Sequence, residues 1–258
     1  METTQKTEFI IEPKKLSDML NKALIAGKGI EQVSALITPD GIIFSDISSG
    51  GYGVHAVFKP SYFKELKCSE PVEVIFTKNI YAGLNALQFF TGGDITVTVD
   101  PEQGKLLFRT EKKVWGANLL SISEVAVSGY SVTRIPFGLD EVENVGILPT
   151  DPAQEMSVQL SLHVSSLNIP SVEQISFKID ENSEITTNLE YENQPFTEKL
   201  AVVSSTQLKA GQWTTFGDLL RDALSNFNGT IWFSIYDIAI FLTQSTPQYS
   251  LMYVVSTL

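Results

Sequence analysis

The residues best suited to catalysis are few in this sequence and lie far apart. It contains two histidines, His55 and His163, and one cysteine, Cys68. These residues are too few for a zinc site made only of histidine and cysteine, and no HExxH spacing occurs. Cys68 has no histidine near it in sequence, so an activated thiolate is not indicated. We therefore expect a protein that is not an enzyme and that has no metal or cofactor.

Two glycine-rich stretches could suggest a nucleotide site. "GKG" at Gly27–Gly29 lacks the remainder of a phosphate-binding loop, and "SSGGYG" at Ser48–Gly53 is more typical of a connection between strands. Neither stretch predicts a nucleotide-binding site.

Basic and amide side chains recur on two predicted helices, away from the apolar stripe of each. The first helix begins at Pro13 and ends near Gly27, and the second runs from about Thr77 to Gly92. Such a face can contact phosphates without reading a base sequence, although a solvated helix face gives the same pattern. The apolar positions at helical spacing are Leu16, Met19, Leu20, Ala23 and Leu24 in the first helix, and Ile80, Leu84 and Leu87 in the second.

The strands around these helices occur in a repeated order. "EQVSALI" from Glu31 matches "EQISFKI" from Glu173, and residues 85–100 match residues 222–237. The two matches keep their order and nearly their spacing, which predicts two copies of one unit. Short strands joined by tight turns, such as the Pro-Asp-Gly turn at residues 39–41, predict mostly antiparallel sheets.

The second copy departs from the first in its helices. "SSLNIPS" places Pro170 where a third helical turn would run, so we expect one turn there at most. "TTFGDLLRDALSNF" predicts the other helix, with Arg221 beside Asp218 and Asp222. Its expected inward residues are Phe216, Leu219, Leu220, Ala223 and Leu224.

Composition and charge narrow the classes of protein. The 258 residues suffice for one large or two ordinary domains, and no run is apolar enough to span a membrane. The absence of a signal-like N-terminus and the single cysteine favour an intracellular location, in a nucleus or in the cytoplasm of a prokaryote or virus-infected cell. The net charge of −12 is uneven, because residues 1–129 carry 13 bases and 15 acids, whereas residues 130–258 carry 5 and 15.

An acidic segment at residues 135–155 joins the two copies. It has three prolines, five acids and no base, yet it keeps Val145, Ile147 and Leu148. A connector cannot bury these side chains within itself. They either pin the connector to its own sheet or leave an apolar surface for a partner.

The tandem units, the connector and the last strand together resemble the PCNA-type DNA sliding clamp family from about Phe9 to Leu258. The resemblance lies in "FTKNIYAGLNALQFFTGGDITVTVD", "LDEVENVGILP" and "YSLMYVVSTL". It implies an α+β fold of two tandem clamp-type domains, with antiparallel sheets outside and two helices per domain inside a ring. The expected parts are a first domain at 1–134, a connector at 135–155 and a second domain at 156–258.

In that family three subunits close head to tail around duplex DNA, which they encircle without sequence preference. DNA polymerases, clamp loaders and other proteins dock a short apolar and aromatic motif under the connector. By this resemblance the DNA-channel residues are Lys14, Lys15, Lys22, Lys28, Lys78, Asn79, Asn85 and Arg221. The docking pocket is Val145, Gly146, Ile147, Leu148, Ile238, Ile240, Val254 and Val255. The subunit interface is Val114, Trp115, Leu119, Leu120, Phe196, Leu200 and Val202, on two strands at 114–120 and 196–205.

Three points stay open on sequence. The acidic helix around Arg221 is unfavourable to DNA, which also fits a clamp-shaped regulatory or checkpoint-type ring subunit. An unrelated acidic β-rich structural or assembly protein is the other alternative. The segment Ser123–Arg134 is longer than the family pattern requires, and the sequence does not say whether the trimer is homomeric.

Overall fold

The structure, a computed structural model, describes residues 7–24, 30–48, 52–100, 102–120, 157–191, 194–236 and 239–258. The chain divides into two units. Unit 1 comprises residues 1–49, 54–140 and 245–251, and unit 2 comprises residues 50–53, 141–244 and 252–258. The last strand therefore contributes residues to both units. The connector at 135–155, the boundaries expected at 134 and 156, and the segment Ser123–Arg134 lie outside the described residues.

The described elements follow the predicted order of strand, helix, strands, helix and strands. In the first half they are β1 (Thr7–Ile11), α1 (Pro13–Leu24), β2 (Gln32–Thr38), β3 (Gly41–Ser48), β4 (Tyr52–Phe58), β5 (Glu65–Lys67), β6 (Val72–Thr77), α2 (Lys78–Ala86), β7 (Ile95–Asp100), β8 (Lys105–Arg109) and β9 (Val114–Asn118). In the second half they are β10 (Val158–His163), β11 (Gln174–Ile179), β12 (Ile185–Tyr191), β13 (Gln194–Lys199), β14 (Ser204–Leu208), β15 (Gly211–Phe216), α3 (Gly217–Leu224), β16 (Thr230–Ile235), β17 (Ala239–Ser245) and β18 (Tyr249–Ser256).

The first sheet of unit 1 has the strand order β5-β1-β7-β8-β9, and all its pairs are antiparallel. Phe9 is opposite Val97, and Val97 is opposite Phe108, so buried side chains line one face of three adjacent strands. Each side chain of this kind stabilises the fold by roughly 1.5–3 kcal/mol when it leaves water.

The second sheet of unit 1 continues from β6 through β2 and β3 to β4, whose next neighbour is β18. The Pro-Asp-Gly hairpin is confirmed, with Thr38 opposite Gly41. Gly41 has φ +143°, and a Cβ there would lie 2.3 Å from the carbonyl oxygen of Phe58. Only glycine fits this turn, because both its backbone conformation and its contact with β4 exclude a side chain.

The helix α1 begins at Pro13, as predicted, and buries Leu16, Met19, Leu20 and Ala23. The prediction for α2 is too long. Thr77 caps its start, its hydroxyl accepting from the Ile80 N–H at 3.2 Å, but the helix ends at Ala86 rather than near Gly92. Gln88 adopts the left-handed conformation with φ +55°, which stops the helix without a glycine.

Unit 2 repeats the strand order of unit 1, which confirms the duplication. Its sheets are β14-β10-β16-β17-β18 and β13-β12-β11-β15. The matched sequences occupy matched positions, because Gln32 is opposite Thr77 at the start of α2 and Gln174 is opposite Phe216 at the start of α3. The first helix of this copy is shortened as expected, since it is a single 3-10 turn at Val164–Ser166.

One predicted strand is wrong. Residues 196–205 were expected to form a single strand, but they belong to β13 and β14, which lie in different sheets. The chain leaves the β12–β13 hairpin after Lys199, buries Leu200 and then joins β10, with the Val203 N–H donating to the Ser161 carbonyl at 2.8 Å. Sequence alone could not separate them, because apolar residues run through the junction.

A pH dependence follows from His55 in β4. Its side chain is 1% exposed, and burial lowers its pKa from 6.5 to about 4. The unfolded chain therefore binds a proton below pH 6.5 that the folded chain refuses until about pH 4. We expect this residue to remove about 2–3 kcal/mol of folding free energy as the pH falls through that window. Urea unfolding at pH 7.5, 5.5 and 4.5 measures the loss.

The exposed His163 supplies the control. The His55→Leu variant should lose this part of the pH dependence, whereas His163→Gln should keep it. An identical pH profile in wild type and His55→Leu would contradict the assignment.

Candidate nucleic-acid interface and docking surfaces

The exposed face of α1 offers two of the expected bases. Lys14 is exposed, as predicted. Lys15 is half-buried, because its ammonium donates to the Tyr62 carbonyl at 3.2 Å and lies 5.3 Å from the centre of the Tyr62 ring. Lys14 is therefore available to a phosphate, and Lys15 becomes available only when its side chain leaves Tyr62. Lys28 lies outside the described residues.

The prediction that Lys22 lies on the exposed face of α1 is wrong. Lys22 is only 3% exposed, and its ammonium lies 2.5 Å from the Asp18 carboxylate and 5.3 Å from the centre of the Tyr249 ring. Asp18 also accepts a hydrogen bond of 2.9 Å from the Tyr62 hydroxyl. Burial and the Asp18 charge raise the pKa of both tyrosines, which therefore stay protonated beside the ion pair. The second side of α1 is covered by residues distant in sequence, which periodicity cannot reveal.

The face of α2 is mostly uncharged. Lys78 is exposed and forms an ion pair with Glu31, while Asn79 and Asn85 are exposed as expected. Leu87 was expected to point inward, but it is 44% exposed because the helix ends before it. The α2 surface thus presents amides and one neutralised base rather than a basic stripe.

The face of α3 carries one base, which two acids neutralise. The Arg221 guanidinium lies 2.8 Å from Asp218 and 3.4 Å from Asp222. Leu220, Ala223 and Leu224 are buried as predicted, whereas Phe216 and Leu219 are only half-buried. Arg221 can reach a phosphate only by giving up these carboxylates, so this helix attracts DNA weakly.

The strand β9 is the last strand of the first sheet of unit 1 among the described residues. Val114 is 67% exposed at this edge, so its side chain is accessible, and the expected interface stays a prediction. Trp115 differs, because its ring packs 5.6 Å from that of Phe108 and against Gly83 of α2, where a Cβ would come within 2.8 Å of it. Leu119 and Leu120 are half-buried. Among these residues, Val114 offers the most apolar surface.

A lysine joins β9 to the end of α2. The Lys113 ammonium donates to the Leu87 carbonyl at 2.7 Å and to the Gln88 carbonyl at 3.0 Å. These carbonyls lie at the C-terminus of α2, where a cation is favourable. The bond brings the exposed Leu87 next to the start of β9, a neighbour that the helix prediction missed.

The strand β13 ends its sheet in unit 2 among the described strands, and all six of its residues are exposed. Phe196 is 49% exposed, so its ring is accessible to a partner. Leu200 is buried and Val202 is half-buried, so neither offers a large surface. Val203, which the sequence analysis did not select, is 66% exposed.

The expected docking pocket needs a correction on two strands. Ile240 and Val255 are fully buried and face the core of unit 2, so they cannot contact a partner. Side chains alternate along a strand, and the opposite face therefore carries Phe241, which is also buried, and the half-buried Val254. Tyr236 packs against Phe241 with 5.1 Å between ring centres, and burial raises its pKa. Val145, Gly146, Ile147, Leu148 and Ile238 lie outside the described residues.

The described residues show no arrangement typical of metal chemistry. They contain no group of three or more His, Cys, Asp or Glu side chains that could hold a metal ion. Within the same residues, no helix is long and apolar enough to cross a membrane.

Two repeated units of antiparallel sheets and short helices are the fold of PCNA-type sliding clamps. The chain matches the PCNA of Entamoeba histolytica with a TM-score of 0.73, 11% identity and coverage of 99% of this chain and 100% of that one. It matches A. fulgidus PCNA, solved with the C-terminal region of FEN-1, with a TM-score of 0.71, 9% identity and 98% coverage of both chains. A chain of the PCNA2–PCNA3 complex from Sulfolobus tokodaii gives a TM-score of 0.68, 12% identity and coverage of 97% and 98%.

These likenesses confirm the predicted fold over nearly the whole chain. The sequence itself matches no protein-family model and no curated protein. The shared property is therefore the fold, and the roles of individual residues have to be argued from this chain.

The Asp18–Lys22 pair generates a prediction on stability. The Asp18→Asn variant removes the carboxylate next to a buried ammonium, and a buried charge that loses its partner is costly. Because Asp18 itself is partly exposed, we expect a loss of about 1–3 kcal/mol in the free energy of unfolding. Urea unfolding at pH 7.5 measures this loss.

The matched control is Glu31→Gln, which removes the partner of the exposed Lys78. Exposed ion pairs contribute about 0–1 kcal/mol, so this variant should change stability little. Equal losses in the two variants would contradict the structural role assigned to Lys22.

Proposed function

We propose that this protein is a PCNA-like DNA sliding clamp. In this proposal its subunits close into a ring around duplex DNA, tether a DNA polymerase and other replication or repair proteins, and catalyse no reaction themselves. The observation that carries the proposal is the repeated unit of antiparallel sheets, in which β9 and β13 each end a sheet among the described strands. Those edges allow head-to-tail assembly, and such a ring holds DNA by topology rather than by contact energy.

The weak charge on the helices is compatible with this role. Lys14, Asn79 and Asn85 can form loose contacts with phosphates, while Lys22, Lys78 and Arg221 are held by carboxylates. Few phosphate contacts imply low affinity for linear DNA and a weak dependence of binding on salt. A ring that encloses DNA does not need that affinity.

A docking role is supported by the outer side of β17 and β18. Tyr236 and Val254 are half-buried and offer an apolar and aromatic surface in unit 2, with Phe241 buried against Tyr236, and the acidic connector contains further apolar residues. In A. fulgidus the PCNA binds the C-terminal region of FEN-1. By analogy we propose that Val254, Tyr236 and Ile147 contact a short motif with an aliphatic and aromatic side chain.

A second candidate is a clamp-shaped regulatory ring subunit. The observation that favours it is Arg221, which Asp218 and Asp222 neutralise on the face of α3. Such a subunit would bind partner proteins but would not be retained on DNA.

Retention on circular DNA separates these two candidates. The protein is diluted with a circular duplex, concentrated again so that rings close around DNA, and passed over a sizing column in about 0.5 M salt, where phosphate contacts are screened. We expect the protein to stay with circular DNA and to be released when the circle is cut once.

Linear duplex of the same length is the control. Absence of protein from both DNA fractions would contradict encirclement and leave the regulatory candidate. Equal retention on both would indicate ordinary binding rather than a ring.

A further prediction concerns the docking surface. Burying one apolar side chain contributes roughly 1.5–3 kcal/mol, so Ile147→Ala should weaken a bound peptide by about tenfold or more. Calorimetry with a synthetic peptide of the C-terminal region of FEN-1 measures the affinity. The melting temperature should hardly change if Ile147 serves the partner.

The core residue Ile240 supplies the matched control. Ile240→Ala leaves a cavity in unit 2 and should lower the free energy of unfolding by about 2–5 kcal/mol, with little direct effect on peptide affinity. A large loss of melting temperature and unchanged affinity for Ile147→Ala would show that Ile147 belongs to the core of the protein.

A further inference from the structure

The turn between α3 and β16 contains the only Asn-Gly pair in the sequence, Asn228–Gly229. Asn228 is exposed. Gly229 has φ +78°, and a Cβ built on it would meet no atom within 4 Å. Residues with a side chain rarely adopt this backbone conformation, so the turn favours glycine. An exposed asparagine side chain thus stands next to a glycine with open space beside its backbone.

The carbonyl groups around this turn are held in place. The Gln244 side-chain amide donates to the Asn228 carbonyl at 2.6 Å and to the Thr230 carbonyl at 3.0 Å. The Gly229 carbonyl accepts from the Val164 N–H at 2.8 Å. Among the described residues, however, neither the Gly229 N–H nor the Asn228 side chain makes a hydrogen bond. The fold therefore fixes the turn but leaves this backbone nitrogen and this side-chain amide available to each other.

A second exposed asparagine, Asn182, lies in the turn between β11 and β12 and has the opposite arrangement. Ser183, which follows it, also has a positive φ of +64°. Its N–H, however, donates to the Asp180 carbonyl at 3.1 Å, and the Asn182 N–H donates to the Asp180 carboxylate at 2.9 Å. The Ser183 nitrogen must give up its hydrogen bond before it can attack a neighbouring group, and losing that bond costs free energy.

We propose that Asn228–Gly229 is a site of spontaneous deamidation in the folded protein, whereas the turn around Asp180 protects Asn182. Asparagine is among the thermolabile residues, and its side-chain carbonyl carbon can be attacked by the nitrogen of the next residue. This inference goes beyond the proposed function and applies to either candidate function.

The reaction needs only water as a co-reactant. The Gly229 nitrogen loses its proton and bonds to Cγ of Asn228, and the bond from Cγ to the side-chain nitrogen breaks. That nitrogen takes up a proton and leaves as ammonia, and a five-membered succinimide remains. One water molecule then adds to either of the two succinimide carbonyls and opens the ring, which gives aspartate or isoaspartate. No group is oxidised or reduced.

Isoaspartate changes the turn more than a new negative charge does. Its main chain runs through the former side chain, so the backbone gains one CH2 group and the former Asn228 carbonyl becomes a free carboxylate. Gln244 holds that same carbonyl, and the next residue, Gly229, is bonded to Val164 directly before β16 begins. A longer turn cannot keep all these bonds, so the start of β16 loosens in the modified protein.

The experiment compares the two turns in folded and unfolded protein. Purified protein is incubated at about pH 7.5, with and without enough guanidinium chloride to unfold it. Mass spectrometry of its peptides follows conversion at each asparagine, and enzymatic methylation of isoaspartate carboxylates counts that product. The Ser183→Gly variant places the same Asn-Gly pair in the protected turn. The Asn228→Gln variant keeps an amide at residue 228, but its ring would have six members and closes slowly.

Asn228 should react in the folded protein within about threefold of its rate in denaturant, whereas folding should slow Asn182 by about tenfold or more, because its turn must first open. In Ser183→Gly the two Asn-Gly pairs should react alike in denaturant, and only Asn228 should react fast in the folded protein. Asn228→Gln should show no conversion at residue 228. Circular dichroism checks that both variants are folded.

The melting temperature tests the effect on β16. Wild type that has accumulated isoaspartate should melt at a lower temperature than fresh protein, and Asn228→Gln incubated for the same time should not. Asn228→Asp, which adds the charge without the extra CH2 group, should melt close to fresh wild type.

Three results would overturn the inference. Equal rates for the two Asn-Gly pairs in folded Ser183→Gly would show that the hydrogen bond to Asp180 does not select the site. A rate for Asn228 that folding slows by more than about tenfold would show that the fold protects this residue too. An unchanged melting temperature in wild type that contains isoaspartate would show that β16 does not depend on this turn.

Discussion

Backbone hydrogen bonding at sheet edges is the constraint on which this structure depends. Every strand carries N–H and C=O groups on both sides, and an edge strand leaves one side without a partner. The edge strand β5 limits this exposure because it is only three residues long and begins and ends with a charged residue. The edge strand β15 is partly covered, because Thr257 pairs with Thr215 and the Leu258 N–H donates to the Thr214 carbonyl. β9 and β13 have no neighbour on one side among the described strands, and they carry the exposed Val114 and Phe196.

The duplication explains why the open edges come as a pair. By its position in the repeated strand order, β9 of the first copy corresponds to β18 of the second, and β4 corresponds to β13. β18 and β4 are neighbours in one sheet, whereas β9 and β13 each end a sheet among the described strands. The remaining two strands belong to different copies. The helices, by contrast, present little free positive charge, because most of their basic side chains form ion pairs with carboxylates.

The sequence predicts the elements well where local rules act alone. Pro13 starts α1, Pro-Asp-Gly forms the hairpin, and Pro170 limits the helix to one turn, because each depends on the residue itself. It fails where a distant residue decides. Lys22 is buried because Tyr62 and Tyr249 cover the second side of α1, and Ile240 and Val255 face the core because register fixes which side of a strand is inward. Leu87 was misplaced because Gln88 ends α2 without a recognisable stop signal.

The contact between Lys113 and the end of α2 has a consequence for local opening of the protein. Helix ends normally fray independently of neighbouring strands, with small free energies of opening. Here the last carbonyls of α2 hold the ammonium of the residue directly before β9, and Gly83 of the same helix accommodates the Trp115 ring. Fraying of the last turn of α2 must therefore release the first residues of β9. Amide hydrogen exchange in these two segments would rise and fall together, as one cooperative unit joining a helix to an edge strand.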